Sequence, residues 1–300
     1  MISKNAMIAI VGRPNVGKST LTNAIVGEKI AIVSNKPQTT RNRICGVKNL
    51  GDTQMIFLDT PGFHKARTRL GDYMVDVVKS SVADVDAAVL LVEPIANVGT
   101  QEELLIGRIQ AAGIPAVLCI NKIDTVKKED LLAVIAAYSQ AGDFQAVIPI
   151  SAKTGDGVDE LLEQLRAYAV EGPQLFPDGM TSDQPERQVI AEIIREKLLW
   201  NLDKEIPHGT AVEITKFSER EDGIIDVDAT IYCEKASHKG IIIGKHGAML
   251  KKISSAARTD CERFMGTKIF LQTWVKVKEN WRDNANLIRS FGYDSSQIEG

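Results

Sequence analysis

Short apolar runs bounded by Gly, Pro, Asn or Asp recur along the first 170 positions: MIAIV (7–11), MIFLD (55–59), AAVLLV (87–92), AVLCI (116–120) and AVIPI (146–150). Segments of helical periodicity lie between them. Runs of this length suit strands buried on both faces of a mainly parallel sheet with helices on either side, so the first half is expected to be α/β. The pattern stops at GPQLFPDGMTSDQP (172–185), where three prolines, two glycines and the loss of periodicity mark an inter-domain linker. Beyond it Ile190, Ile193, Ile194, Leu198 and Leu202 share one helical face, and Ile225, Val227, Ala229, Ile231 and Cys233 alternate as on a strand. Leu250, Ile253, Ala257, Cys261 and Phe264 make a further helical stripe, and KIFLQTWVKVK (268–278) alternates again. The second half therefore reads helix, strand, strand, helix, turn, helix, strand, a smaller α+β unit.

A chain of 300 residues with 44% hydrophobic positions has room for two cores. The expected division is 1–171, a linker at 172–185, and 186–300. The formal net charge of −3 excludes a uniformly basic protein, so contact with nucleic acid has to come from local segregation of charge. Residues 235–282 provide it, with 11 Lys and Arg against 3 Asp and Glu, whereas residues 185–234 carry 6 against 12. Four cysteines stand singly, with no C-x-x-C pair or histidine at metal spacing, which argues against a zinc site or a disulfide framework and for a reduced, cytoplasmic chain. No run approaches the ~18 apolar residues needed to span a bilayer.

GRPNVGKS (12–19) fits G-x-x-x-x-G-K-[ST] directly after a predicted strand and before a helical segment, the context that pattern requires. Gly12 and Gly17 let the backbone wrap so that its N–H groups face phosphates at a helix N-terminus; Lys18 is expected on the β- and γ-phosphates and the Ser19 hydroxyl on Mg²⁺. The whole loop, Gly12, Arg13, Pro14, Asn15, Val16, Gly17, Lys18, Ser19 and Thr20, is a candidate nucleotide contact. DTPG (59–62) ends the strand MIFLD: Asp59 would hold Mg²⁺ through water and the Gly62 N–H would feel the γ-phosphate, with Thr60, Pro61 and Phe63 beside them. In PQTTR (37–41) a threonine hydroxyl would complete the Mg²⁺ ligands, Thr40 in preference to Thr39. The base is read from NKID (Asn121, Lys122, Ile123, Asp124) and SAK (Ser151, Ala152, Lys153), each after a predicted strand. A carboxylate at 124 can accept from N1–H and the exocyclic amine of guanine, groups that adenine does not present there, which favours GTP over ATP. Asn121 would bridge the base edge and the loop, and the Ala152 N–H would meet O6.

These motifs in this order resemble the translation-factor class of P-loop GTPases, and within it the Era-type assembly GTPases, a resemblance that runs the length of the chain. It implies an α/β P-loop GTPase domain followed by a smaller α+β type II KH domain, slow GTP hydrolysis to GDP with Mg²⁺, and binding to the 3′ end of small-subunit (16S) rRNA during maturation of the small ribosomal subunit. It also implies a peripheral association with the inner membrane. Phe63 stands where signalling GTPases carry a water-orienting glutamine, and Asn15 matches the asparagine that helps related GTPases hold an activating K⁺. The catalytic set is thus Lys18, Thr40, Asp59, Gly62 and Asn15. A monomer is expected, and no DNA partner.

GKHG (244–247) has the wrong spacing for a nucleotide loop. A G-x-x-G turn between two helices suits a nucleic-acid backbone passing close to it, with apolar neighbours lining a groove for about four unpaired bases. The preceding isoleucines, the helix that follows, the α-β-β-α-α-β order and the local basic charge make the second half similar to a bacterial KH domain. Ile243, Gly244, Lys245, His246, Gly247, Lys251, Lys252 and Arg258 are the candidate RNA contacts, with Ile241, Ile242 and Ile243 divided between core and groove floor. Trp274 and Trp281 suit either stacking or packing. Two other readings compete: a tRNA-directed GTPase, against which no second catalytic constellation follows residue 185, and an RNA-binding module with a vestigial pocket, against which Lys18, Ser19, Asp59 and Asp124 are all in place.

Overall fold

The computed structural model describes residues 2–293 other than 64, 65, 67 and 84. The first unit runs β1 (Lys4–Val11), α1 (Lys18–Val26), β2 (Ile44–Leu50), β3 (Thr53–Asp59), α2 (Arg69–Ala83), β4 (Ala87–Val92), α3 (Thr100–Ala112), β5 (Ala116–Ile120), α4 (Lys128–Ala141), β6 (Ala146–Pro149), α5 (Val158–Arg166) and β7 (Val170–Glu171). The sheet order is β2-β3-β1-β4-β5-β6, with β3, β1, β4, β5 and β6 parallel, β2 antiparallel at the edge and β7 paired to the start of β1. Alternation sends the two faces of each strand into separate cores. Ile8, Ile10, Val89, Leu91, Val117 and Cys119 pack under α1 and α5, while Ala9, Val11, Ala88, Leu90, Leu118 and Ile120 pack under α2, α3 and α4. That double burial is why β4 and β5 read as unbroken apolar runs.

The stretch 172–185 is docked rather than loose. The Gln54 side chain accepts from the amides of Leu175 and Phe176 at 2.9 and 2.8 Å, the Val47 N–H donates to the Thr181 carbonyl at 2.9 Å, and Gly46 bridges Ser182. The outer edge of β2 is thereby covered, as an exposed edge strand needs.

The second unit follows as α6 (Glu186–Asn201), β8 (Ala211–Glu219), β9 (Ile225–Cys233), α7 (Ala236–Ile243), α8 (Ala248–Met265), β10 (Ile269–Val277) and α9 (Ala285–Ser290). Its sheet is β10-β9-β8, with β9 parallel to β10 and antiparallel to β8. The inward residues of β9 meet Ile190, Ile193, Ile194, Leu198 and Leu202 of α6 and Ile253, Ala257 and Cys261 of α8 in one core. Phe264 departs from the expected stripe: it is 37% exposed, and Met265 takes the last packed position before the Gly266 cap. Trp281 is a packing residue, fully buried with its indole N–H on the Gly209 carbonyl, whereas Trp274 is 44% exposed. A fourth apolar cluster joins the units: Leu70 and Met74 of α2 meet Ala211, Tyr232, Trp281, Ile288 and Tyr293.

Candidate functional site

Four of the loops singled out in the sequence, the phosphate loop, DTPG, NKID and SAK, follow β1, β3, β5 and β6, so the parallel strands deliver them to one edge of the sheet, where open α/β folds build their binding crevices. Close approach explains the glycines. A Cβ on Gly12 would lie 2.4 Å from the Leu91 carbonyl oxygen, one on Gly62 would lie 2.7 Å from the Pro14 Cα, and Gly17, at φ +104°, would meet the Asn121 amide at 2.3 Å. The Lys18 ammonium is folded back onto its own loop, donating to the carbonyls of Gly12 and Arg13 at 3.1 and 2.9 Å. Burial lowers its pKa to about 8, against the pull of Asp59. A cleft of about 410 Å³ opens beside it, lined by Pro14, Asn15, Gly17, Lys18, Ser19 and Thr20 of the loop, by residues of the 32–40 segment, and by Gly62 and Lys122.

The candidate metal ligands converge. Ser19 Oγ and Thr40 Oγ1 are 2.7 Å apart, and Thr40 is buried while Thr39 turns its hydroxyl to the Lys36 carbonyl at 2.7 Å. Asp59 is fully buried with neither carboxylate oxygen in a well-formed hydrogen bond. Burial pushes its pKa up to about 6, and the nearby Ser19 hydroxyl, Lys18 ammonium and Thr60 amide offset only part of that. A carboxylate left this way is one built to meet a cation.

Linkage gives this arrangement a measurable sign. The unfolded chain releases the Asp59 proton near 3.8 and the folded chain near 6, so the penalty for ionising it grows as pH rises through that window and is constant above it. Asp59→Asn is therefore expected to stabilise the nucleotide-free protein at pH 7.5 by up to about 3 kcal/mol, with some offset from the counter-charge that Lys18 loses. Urea unfolding from pH 4 to 8 checks it. A variant no more stable than the parent at pH 7.5, or a gain that shrinks as pH rises, would contradict the account.

At the base end Asn121 is a stitch: its amide donates to the Val16 carbonyl at 2.7 Å and its oxygen accepts from the Ala152 N–H at 2.9 Å. The Ala152 N–H expected to face the base thus already has a partner within the protein. Ser151 Oγ donates to Asp124 Oδ1 at 2.8 Å, and Asp124 is exposed with its other oxygen unengaged in any described hydrogen bond. Lys122 bonds the Asn15 carbonyl and Glu93. Ile123 packs at the edge of the core under α4, and Lys153 is exposed.

Several predicted contacts face elsewhere. Arg13 turns to Glu93 and Glu102, Val16 is in the core, and the Thr60 hydroxyl bonds the Ile10 carbonyl at 2.8 Å. Pro61 is buried. Phe63 offers the site only its backbone, whose N–H reaches the Gly12 carbonyl at 3.1 Å; its ring lies in the core 4.5 Å below the Arg108 guanidinium. The Asn15 amide donates to the Asn35 carbonyl at 2.9 Å, tying the loop to the 32–40 segment.

At the second glycine loop, Gly244 has φ +72° and a Cβ there would lie 2.7 Å from that of Met249, while Gly247 at φ +78° has open space around it. Lys245, His246, Lys251, Lys252 and Arg258 are all exposed. The three isoleucines divide: Ile242 is fully buried, Ile243 packs at the core edge and Ile241 is 50% exposed. Sequence reasoning missed how α6 meets the first unit. Arg195 and Glu196, off the apolar stripe, and Lys197, on its edge, are all buried, and Glu196 accepts from the Val33 N–H at 2.9 Å. The run of alternating charges gave no sign of it.

Residues 7–122 match the family model described as 50S ribosome-binding GTPase, and residues 205–282 match that of the KH domain. GTPase Era of Ruminiclostridium cellulolyticum is 52% identical over 297 residues, 99% of this chain and 100% of that one. GTPase Era of Geobacter metallireducens is 49% identical over 291 residues, 97% of this chain and 98% of that one. Among solved structures, Era in complex with MgGDPNP and nucleotides 1506–1542 of 16S ribosomal RNA aligns with a TM-score of 0.93 at 36% identity, covering 97% of this chain and 99% of that chain. A variant of Aquifex aeolicus Era bound to GDP and AlF4⁻ is similar to the same degree. The likeness runs through both units and the segment between them, and the chain belongs to the Era family of GTPases.

Proposed function

We propose that this GTPase is a magnesium-dependent switch that grips the 3′ end of 16S rRNA through the 244–247 turn and α8 while the small ribosomal subunit matures. The observation that carries the catalytic half is the meeting of Ser19 and Thr40 hydroxyls beside the buried carboxylate of Asp59, whose oxygens make no well-formed hydrogen bond. The solved Era structure with MgGDPNP and 16S RNA supports the assignment of both ligands.

The residues fit the nucleotide. The backbone from Gly12 to Thr20 supplies N–H groups at the start of α1, where the helix dipole favours anions. Lys18 is free to exchange two carbonyl partners for phosphate oxygens. Bound magnesium would neutralise phosphate charge at the Ser19, Thr40 and Asp59 oxygens. Gly62 brings its backbone against Pro14, at the γ-phosphate end of the loop. Phe63 brings no polar group to an attacking water, so unassisted hydrolysis is expected on the order of 10⁻³ per second. Peripheral membrane association, at which the family resemblance hints, and a monomeric state belong to the same proposal.

K⁺ is the proposed local accelerator. The Asn15 amide nitrogen is engaged by Asn35, which leaves its oxygen as a ligand close to the phosphate loop, and a cation there stabilises charge developing on the phosphates. GTP turnover is expected to be faster in potassium than in sodium buffer, and Asn15→Ala to remove the difference. Equal rates in the two salts for the parent protein would end this part of the proposal.

A further inference from the structure

The segment 31–43, which carries Thr40, has no helix or strand of its own, so its shape is set by what it touches. It touches the second unit repeatedly. Besides the Glu196 bond to the Val33 amide, the Trp200 indole donates to the Val33 carbonyl at 2.9 Å, Arg195 donates to the Thr39 carbonyl and Lys36 to the Leu202 carbonyl. Arg41 goes deepest. It is 2% exposed, and its guanidinium donates to the carbonyls of Thr210 and His208 at 2.8 and 2.9 Å and to the Tyr293 hydroxyl at 3.2 Å. The Trp281 and Tyr293 rings lie 5.6 and 5.7 Å from it.

Among the described residues no carboxylate forms an ion pair with this buried cation, and its Nε has no partner. Such a group is expensive to bury, and the acceptors that hold it are backbone carbonyls of one turn, Pro207–Gly209 and its neighbour, fixed in turn by the Trp281 indole on the Gly209 carbonyl. Thr40, the adjacent residue, faces the other way, onto Ser19. Two successive side chains therefore join the candidate magnesium site to the second unit with no intervening residue.

We infer that Arg41 is a positioning residue for the metal site: the carbonyl cage of the second unit, through the Arg41 guanidinium, holds Thr40 against Ser19. This rests on the reading of Ser19, Thr40 and Asp59 as magnesium ligands. A displacement of the second unit shifts the cage and carries Thr40 away from Ser19; conversely, fixing Thr40 on the metal biases the second unit toward the placement seen here. A planar fork reaching two carbonyls at once is a task for arginine, and lysine does it less well.

Two measurements on the full-length protein decide the matter: the Mg²⁺ concentration for half-maximal binding of a non-hydrolysable GTP analogue, and amide hydrogen exchange over 31–43 without nucleotide. Arg41→Ala is expected to raise the Mg²⁺ requirement about tenfold, within the usual range of coupling between sites, and to speed exchange over 31–43. GDP binding in EDTA should be unchanged. Arg41→Lys should shift both readouts the same way by less. Thr40→Ala is the reference. If it raises the Mg²⁺ requirement and Arg41→Ala does not, the positioning role is overturned and the metal site stands; if Thr40→Ala has no effect, the metal site falls and this inference with it. Should Arg41→Ala not fold, Arg41→Lys with the parent's Mg²⁺ requirement and exchange rates overturns the role equally.

Discussion

Asp124→Asn is expected to weaken GTP binding by about 10² to 10⁴-fold and to move preference toward xanthosine triphosphate. The carboxylate at 124 offers guanine two charged acceptors, and hydrogen bonds of that kind are worth roughly 1.5–3 kcal/mol each. Its orientation is fixed by the Ser151 hydroxyl on Oδ1. An amide in its place can keep that bond and present N–H₂ to the base, where guanine also presents a donor and xanthine presents an oxygen. The scaffold should survive, because Asp124 is exposed and the stitch between the phosphate loop and the SAK loop is made by Asn121. Competition of GTP, ATP and xanthosine triphosphate for the parent and the variant is the measurement. An unchanged order of preference would overturn the assignment of Asp124 to the base.

How far the sequence could lead depended on whether a residue's partner lay on its own element or across an interface. Strands β1, β3, β4, β5 and β6 were legible because two-sided burial leaves an apolar run with turn residues at each end. Strand β2, ICGVKNL, was not, since it is an edge strand with a glycine, a lysine and an asparagine that weaken the period. Motif spacing placed the phosphate loop, DTPG, NKID and SAK correctly along the sheet edge. It could not reveal that Arg13, Val16 and Phe63 point away from the cleft, because a motif fixes the backbone path and leaves each side chain to its neighbours. The largest omission was Arg195-Glu196-Lys197. A helix with one apolar stripe is read as having a solvated opposite face, and here Arg195 and Glu196 of that face are buried against the first unit, Glu196 accepting from Lys29, while Lys197 on the stripe's edge pairs with Glu196 and with Asp260 of α8. The same blindness applied to Arg41, which follows the threonine pair as an ordinary loop cation and turns out to be among the most buried side chains.

Replacing Lys245 and His246 together by Asp is expected to cost about 3 kcal/mol or more of affinity for single-stranded RNA, a loss of at least about 10²-fold, since one cation is removed and two like charges are set where phosphates approach. The turn is shaped for that approach: Gly247 has nothing within 4 Å of where a Cβ would sit, and α8 begins immediately after it with its first amides unengaged by any side-chain cap. The substitution leaves the backbone able to keep its path. His246 lies at φ +51°, a region that aspartate adopts more readily than most residues, and both side chains are exposed without a described hydrogen bond or ion pair. GTP affinity should hold, because the described hydrogen bonds between the second unit and the 31–43 segment come from α6, the 202–210 stretch and residues 292–293 rather than from this turn. The slope of log affinity against log salt should also become shallower, by about 0.7 for each phosphate of a single strand that the variant no longer neutralises. Titrating a 16S 3′-end oligonucleotide at several salt concentrations, with GTP affinity and circular dichroism measured in parallel, separates the outcomes. Equal RNA affinity and slope in an intact fold would make GKHG a helix corner and remove the RNA grip from the proposed function; loss of both RNA and GTP binding would mean that the two loops are not independent and that the turn supports the fold.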